Sequence, residues 1–194
     1  SMIVRSMQCT EHSGAKIEDL YLRFVGNRHG ATLGNFHLKL PNSSLRLDTL
    51  WFDYSPDDFF NSLIVKGSIP PSRITPSDLG SFIPTIKDFK EPIHVGGEAI
   101  ASKSQICIKG LEVYTHHKDF SLQADLTTQI GRTFSLNLDT LNATPQMWQI
   151  IKEQLPKIND LMPVEITRTG GIAANGSAHL SRTDSHINLL AQTD

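Results

Sequence analysis

The chain has 194 residues, of which 39% are hydrophobic and 20% charged, with a formal net charge of -2 at pH 7. That composition excludes a disordered chain and gives enough apolar material for one large domain or two small ones. The near-neutral balance and the lack of any basic run exclude nucleic acid as a partner, and no apolar run approaches the roughly 18 residues of a spanning helix.

Ser1-Met2 reads as a cloning remnant, and the chain as an excised piece of a larger protein. The first strand-like pattern starts almost at once at Ile3, and the opening residues lack the charged lead and apolar core of a signal peptide. From there period-2 alternation dominates. Leu20, Leu22 and Phe24 alternate with Tyr21, Arg23 and Val25. Phe36, Leu38 and Leu40 alternate with His37 and Lys39, and Leu45 and Leu47 flank Arg46. Pro56 to Leu63 holds a short helical turn. Residues 77–86 carry a helical stripe of Leu79, Phe82, Ile83 and Ile86 behind a Ser-Asp start.

Strand alternation returns at Phe120, Leu122, Ala124 and Leu126, and again at Phe134, Leu136 and Leu138. Thr144 is a natural N-cap with Pro145 at the first helical position, so residues 145–155 form the second helix. Its stripe is Met147, Ile150, Ile151, Gln154 and Leu155. The run Ile172, Ala174, Gly176, Ala178, Leu180 and the run Ile187, Leu189, Ala191 close the chain as strands. Gly26-Asn27, Pro41-Asn42, Gly96-Gly97, Gly170-Gly171 and Thr183-Asp184-Ser185 are turn signals between runs. Cys9 and Cys107 sit in apolar-flanked strand contexts and read as two buried small hydrophobes, with no disulfide framework implied.

The chain repeats itself. Ser44-Leu45-Arg46-Leu47-Asp48-Thr49-Leu50 matches Ser135-Leu136-Asn137-Leu138-Asp139-Thr140-Leu141 at six of seven positions. Phe82 to Phe89 resembles Gln154 to Leu161, with Pro, Ile and Asp coinciding. The two offsets, 91 and 72 residues, differ by 19, the size of one hairpin insert. The expected organisation is therefore repeat unit 1 over 1–91 and repeat unit 2 over 92–194, or one continuous domain sharing a core.

No hydrolase elbow, zinc motif or phosphate-cradling glycine loop is present, so neither catalysis nor a cofactor or metal is expected. His116-His117 fall in a polar turn, and adjacent strand residues point to opposite faces, which does not suit a shared metal. His37, His94 and His179 fall on the polar phase and are expected at the solvent. Asp48 and Asp139 occupy equivalent repeat positions. A paired-carboxylate hydrolase built on them is a distant reading, because a duplicated position points to a duplicated structural role.

Alternation alone does not separate a closed sandwich from an open trough with an apolar concave face. The block from Gly67 to Pro84, Gly-Ser-Ile-Pro-Pro-Ser-Arg-Ile-Thr-Pro-Ser-Asp-Leu-Gly-Ser-Phe-Ile-Pro, adds a further clue. It resembles a Gly-x-Ile-x-Pro-Ser-x-Ile-x-x-x-Asp-Leu-x-x-Phe-x-Pro block of TamB-like translocation and assembly module proteins, in the AsmA-like superfamily and especially its Bacteroidetes-type members. The Leu-Asp-Thr-Leu strands and the helix end at Leu155 to Leu161 look similar too. The second unit departs from the pattern, with Asn142-Ala143-Thr144-Pro145 before its helix.

The resemblance implies a mainly β fold: two repeated units of antiparallel-type strands forming a curved, taco-like half-pipe with an apolar lumen, plus two short helices. It implies an interior, periplasmic segment of an inner-membrane-anchored cell-envelope protein that is not an enzyme. Its partners would be phospholipid acyl chains and, through the full-length protein, an outer-membrane protein of the Omp85 type. Its role would be lipid transport between the membranes, assembly of outer-membrane proteins, or both. The expected groove lining is Phe36, Leu38, Leu45, Leu47, Phe120, Leu122, Leu126, Phe134, Leu136 and Leu138, with the inward phase left open by a switch near Asp48. The alternative is a structural or adhesive β-sandwich that binds a glycan or protein through Trp51, Tyr54 and Trp148.

Overall fold

The computed structural model describes residues 1–10, 16–81, 84–154 and 170–193. Its strands are β1 (Met2–Val4), β2 (Cys9–Thr10), β3 (Lys16–Ile17), β4 (Asp19–Gly26), β5 (Gly30–Lys39), β6 (Ser44–Asp53), β7 (Ile64–Ile74), β8 (Ile93–Ser102), β9 (Gln105–Thr115), β10 (Phe120–Gln129), β11 (Thr133–Ala143), β12 (Ile172–Ser181) and β13 (Ser185–Gln192). Two helices, α1 (Phe59–Ser62) and α2 (Pro145–Gln154), interrupt them. Eleven strands form one antiparallel sheet in the order β1, then β4 to β13 in sequence; β2 and β3 pair apart as a small ribbon. The sheet does not close, and β1 and β13 are its edges. On either side of residue 91, β7 and β8 pair from Ile64–Ser102 to Ile74–Ile93, so one sheet runs through that point.

The meander follows from short turns. Asn27 accepts the N–H groups of His29 and Gly30 on its side-chain oxygen, closing β4 onto β5. The β5–β6 turn is tied to a distant segment. The Asp78 carboxylate accepts from the Asn42 N–H (2.8 Å), the Asn42 side-chain amide (3.0 Å) and the Ser43 hydroxyl (2.7 Å). Thr75 adds to this lock, with its N–H on Ser43 Oγ and its hydroxyl on the Asn42 carbonyl.

The strands are not uniform. Five of them carry one extra residue near mid-length. Against β4, Tyr21 pairs with His37 and Arg23 with Gly34, so Asn35, at φ 52°, is extra in β5. β6 switches at the same level, where Phe36 pairs with Leu47 but Gly34 with Thr49. In β7 the irregularity falls at Pro70 and Pro71, in β9 at Gly110 (φ 56°) and in β11 at Asp139. These are β-bulges, each of which bends its strand and raises the local twist. They lie side by side and cross the sheet as a belt. Gly96-Gly97, expected as a turn, lies inside β8 beside that belt. Gly97 has φ 146°, a conformation that L side chains rarely adopt, and the backbone of β9 comes within 3.4 Å of where a side chain would start, so both disfavour any other residue there.

Pro70 and Pro71 have no N–H to offer a ladder. Ser72 repairs the gap. It is 3% exposed, and its hydroxyl accepts the Arg46 N–H at 3.0 Å while donating to the Pro70 carbonyl at 2.8 Å. Ser72→Ala is expected to cost about 1–3 kcal/mol, because the Arg46 N–H and the Pro70 carbonyl both lose this part-buried partner. A urea midpoint equal to that of the unaltered chain would reject this role.

The expected helix over 77–86 does not form. Its described parts are two 3-10 turns, Pro76–Leu79 and Pro84–Ile86. Pro84 has no N–H to bond the Gly80 carbonyl, and Gly80 itself disfavours a helix interior. The weaker candidate, Pro56 to Leu63, is a 3-10 turn followed by α1. α2 starts where Thr144 suggests: its hydroxyl accepts the Met147 N–H and its carbonyl the Trp148 N–H. The end of that expected helix at Leu155 and the repeat block from Leu155 to Leu161 lie outside the described residues, as do Phe82 and Ile83.

The densest core sits where α2 meets the sheet. Met147, Trp148 and Ile151 of α2 are buried with Phe89, Ala143 and Ile172, and Ile93, Phe120 and Ile150 pack against them. Trp148 belongs to α2's buried stripe in place of Gln154.

Candidate functional site

Partners in an antiparallel ladder point to the same side of the sheet. The register therefore fixes which side chains share a face. Met2 pairs with Phe24, Phe24 with Leu33, Leu33 with Leu50, and Leu50 with Gly67. Gly67 pairs with Ala99, Ala99 with Ile108, Ile108 with Leu126, Leu126 with Leu136, Leu136 with Ala178, and Ala178 with Ile187. This row crosses all eleven strands without a polar side chain. At the usual strand spacing it is a path of about 48 Å.

The row behind it on the other face is mixed: Val25, Thr32, Trp51, Lys66, Ile100, Cys107, Thr127, Ser135, His179 and His186. Lys66 there is bonded to Asp53 at 3.2 Å. One face of the sheet is thus continuously apolar and the other carries the charge.

All ten residues expected to line a groove lie on the apolar face. Phe36 pairs with Leu47 and Leu38 with Leu45. Leu20 opposite Leu38 and Phe24 opposite Leu33 place both halves of β5 on one side, since β4 alternates without a break between them. The phase switch near Asp48 is thereby resolved: β5 and β6 both gain a residue, so Leu45, Leu47, Leu50 and Phe52 share one face. On the far side, Phe120, Leu122 and Leu126 of β10 stand on the same face as Phe134, Leu136 and Leu138 of β11. Three strands, β7 to β9, separate the two groups.

Sequence reading missed the residues that join them. Val65, Ile69, Ala99, Ala101, Ile106, Ile108, Leu111 and Val113 continue the same face through β7 to β9. Their alternation is interrupted by Pro70-Pro71, Gly97 and Gly110, which hides the pattern from any window that assumes a strict period of two. The signal was present on either side of each break.

The face is covered unequally. Under and beside α2 the side chains are buried. Ala124 and Leu138 are buried too, at 2% and 9% exposure. Leu122, Leu126, Phe134 and Leu136 are half-buried against their neighbours. Toward the β13 edge Ile187 and Leu189 reach 64% and 50% exposure. Substantial element contacts are those between neighbouring strands and between α2 and β11, so no second sheet packs on this one among the described residues. The described strands do not form a sandwich.

The other singled-out residues scatter. Trp148 is buried, Trp51 is exposed on the mixed face, and Tyr54 bonds the Asn27 carbonyl, so the three aromatics make no common patch. Asp48 and Asp139 are exposed, and Asp139 accepts from Asn137 at 2.8 Å. Cys9 is exposed, not buried, because β2 lies in the small ribbon outside the main sheet; Cys107 is half-buried on the mixed face. His179 is exposed as expected. His37 is half-buried beside Ser44, and His94 stacks on Tyr114 at 5.0 Å with its Nδ1 buried and unpartnered. Those two stand on the mixed face, as the polar phase implies, but are only partly exposed. Among the described residues no group of three or more His, Cys, Asp or Glu is placed to hold a metal, and no helix is long and apolar enough to cross a membrane. Neither models of protein families, nor curated proteins, nor solved structures give a match to this chain.

Proposed function

We propose that the apolar face is a binding surface for lipid acyl chains, in a non-enzymatic segment of a TamB-like cell-envelope protein. The observation that carries this reading is the uncharged row from Met2 to Ile187, open to solvent away from α2. Contiguous exposed apolar surface is costly in water, and an apolar ligand lowers that cost. A continuous row also has no privileged residue, which suits a ligand that slides more than one that docks at a single point. The belt of bulges supports a curved sheet, the half-pipe expected from the resemblance. On this reading the segment works in the periplasm, moves phospholipid between membranes or aids outer-membrane protein assembly, and reaches an Omp85-type partner through the rest of its parent.

The test is native mass spectrometry of the purified segment with lipid extraction from the same sample. Phospholipid is expected to co-purify. Leu126→Asp, at the middle of the row, is expected to remove it, since a buried unpaired carboxylate opposes any acyl chain over it. Gln123→Asp, on the opposite face of the same strand, is expected to leave it in place. Equal lipid in all three proteins, or none in the unaltered one after incubation with phospholipid vesicles, rejects the reading.

A further inference from the structure

At the end of the face under α2 the packing is incomplete. A cavity of about 400 Å³, partly open to the outside, lies between α2, the 3-10 turns and strands β8 to β11. That is within the range of small-ligand sites. Protein interiors are normally filled, and an apolar void of this size forfeits contacts on every wall. Its floor is the apolar face itself, with Ile93, Val113, Phe120, Leu122 and Leu141, and Trp148 of α2 lines it too.

The lining decides what fits. Among the described lining residues only Thr115 and Trp148 carry an O–H or N–H on the side chain, and no polar atom of the lining opens into the cavity. The Thr115 hydroxyl is taken up within its own turn, donating to the Asp119 carboxylate and accepting the Phe120 N–H. A water needs two to four polar partners to stay in such a space, and finds none here. A phosphate, an ester or a carboxylate would lose its hydrogen bonds to water and gain none in return. Hydrocarbon has none to lose. The cations of the β9–β10 turn do not change this. Lys118 lies over the Tyr114 ring, and His116 lies beside His94, which stacks on Tyr114; both cations are therefore on the mixed face, away from the cavity.

The cavity also joins the apolar row. Leu122 and Leu141, both in its lining, face each other across β10 and β11. Further along the same two strands Ala124 stands opposite Leu138, and then Leu126 opposite Leu136, a pair that belongs to the row. The path from Leu122 through Ala124 to Leu126 meets no polar side chain on that face. At the usual rise per residue it is about 13 Å long, a distance that the hydrocarbon chain of a lipid spans.

We infer that the cavity seats the methyl end of an acyl chain, which enters tail first. The chain runs out along β10 past Leu122 towards Leu126, and its head group stays outside the cavity. This rests on the acyl-chain reading above, and gives bound lipid an orientation that a uniform surface does not.

Trp51→Phe leaves Trp148, in the cavity wall, as the single tryptophan, since the chain has two and Trp51 is exposed on the mixed face. The probes are phosphatidylcholine vesicles with one chain dibrominated either near its methyl end or near the ester, because bromine quenches indole on contact. Bromine near the methyl end is expected to quench Trp148 emission, and bromine near the ester to quench it less. Val113→Phe, added to the same chain, fills the cavity from β9. It is expected to abolish the methyl-end quenching while phospholipid is still taken up by mass along the row. Leu141→Phe fills the cavity from β11 and replaces it if circular dichroism shows Val113→Phe unfolded. Equal quenching from both positions, stronger quenching from the ester, or uptake by mass without quenching overturns the seat and leaves the acyl-chain surface standing. Methyl-end quenching that persists in a folded, filled variant does the same. No uptake by mass at all overturns both.

Discussion

Trp148→Ala is expected to destabilise the fold by about 3–5 kcal/mol, a large part of the stability of an ordinary domain. Trp148 is 2% exposed and sits at the centre of the one cluster where α2, Phe89, Ala143 and Ile172 bury each other. Elsewhere the side chains on the apolar face are mostly half-buried against strand neighbours alone, and truncating one of them removes less contact. The companion variant Trp148→Phe separates two terms. It keeps most of the ring's packing and removes the unpartnered N–H, whose burial carries a penalty of about 1–3 kcal/mol. Its cost is therefore expected to fall well below that of Trp148→Ala. Urea unfolding followed by circular dichroism checks both. Equal losses for Phe and Ala would mean that the indole N–H has a partner in the folded chain.

Much of this architecture was legible in the chain because the sheet obeys one simple rule. Wherever a strand alternates without interruption, as in β4, β10 and β12, its apolar phase was read directly and the register places it on one face. The rule fails where a bulge adds a residue. Leu47 and Leu50 look out of phase in sequence, and only the matching extra residue at Asn35 shows that they point the same way. The three middle strands were lost for the same reason. A bulge is specified by backbone geometry and by neighbours on other strands, and one strand's sequence does not contain its partner's register.

The repeat illustrates the same limit from the other side. Asp48 and Asp139 were singled out as equivalent, and both fall at the level where their strands gain a residue. That is a shared structural position. The segments that follow differ. β7 stands between β6 and the 3-10 turns, while α2 follows β11 directly. Likewise the block from Gly67 to Pro84 supplies structural ties: Ser72 completes an interrupted ladder, and Thr75 with Asp78 fastens the β5–β6 turn. Its serine and aspartate were readable as residues, but their partners at Arg46, Asn42 and Ser43 lie some thirty positions away and were not.

Gly176→Ala is expected to peel β13 from the sheet without unfolding the rest. Gly176 has φ 142°, a conformation that L side chains rarely adopt, opposite the bulge at Asp139. A methyl group there would start 2.1 Å from the Asn188 carbonyl oxygen and 2.8 Å from the Leu189 Cα, both in the backbone of β13. Neither can rotate away, so the strand itself must move. β13 is an edge and exposed along its whole length, so its pairing to β12 is the weakest link available to yield. Amide exchange in Ser185–Gln192 is expected to accelerate at least about fivefold, because a side chain forced into an incompatible backbone costs more than about 1 kcal/mol. Amides of β8 to β11 are expected to keep their protection. Removing β13 also removes Ile187 and Leu189 from the apolar row. If that row binds acyl chains along its length, the variant keeps lipid at the α2 end and loses capacity at the other. Unchanged protection in β13 would mean that the β12–β13 pairing is looser than described here, and would shorten the row to the strands before it.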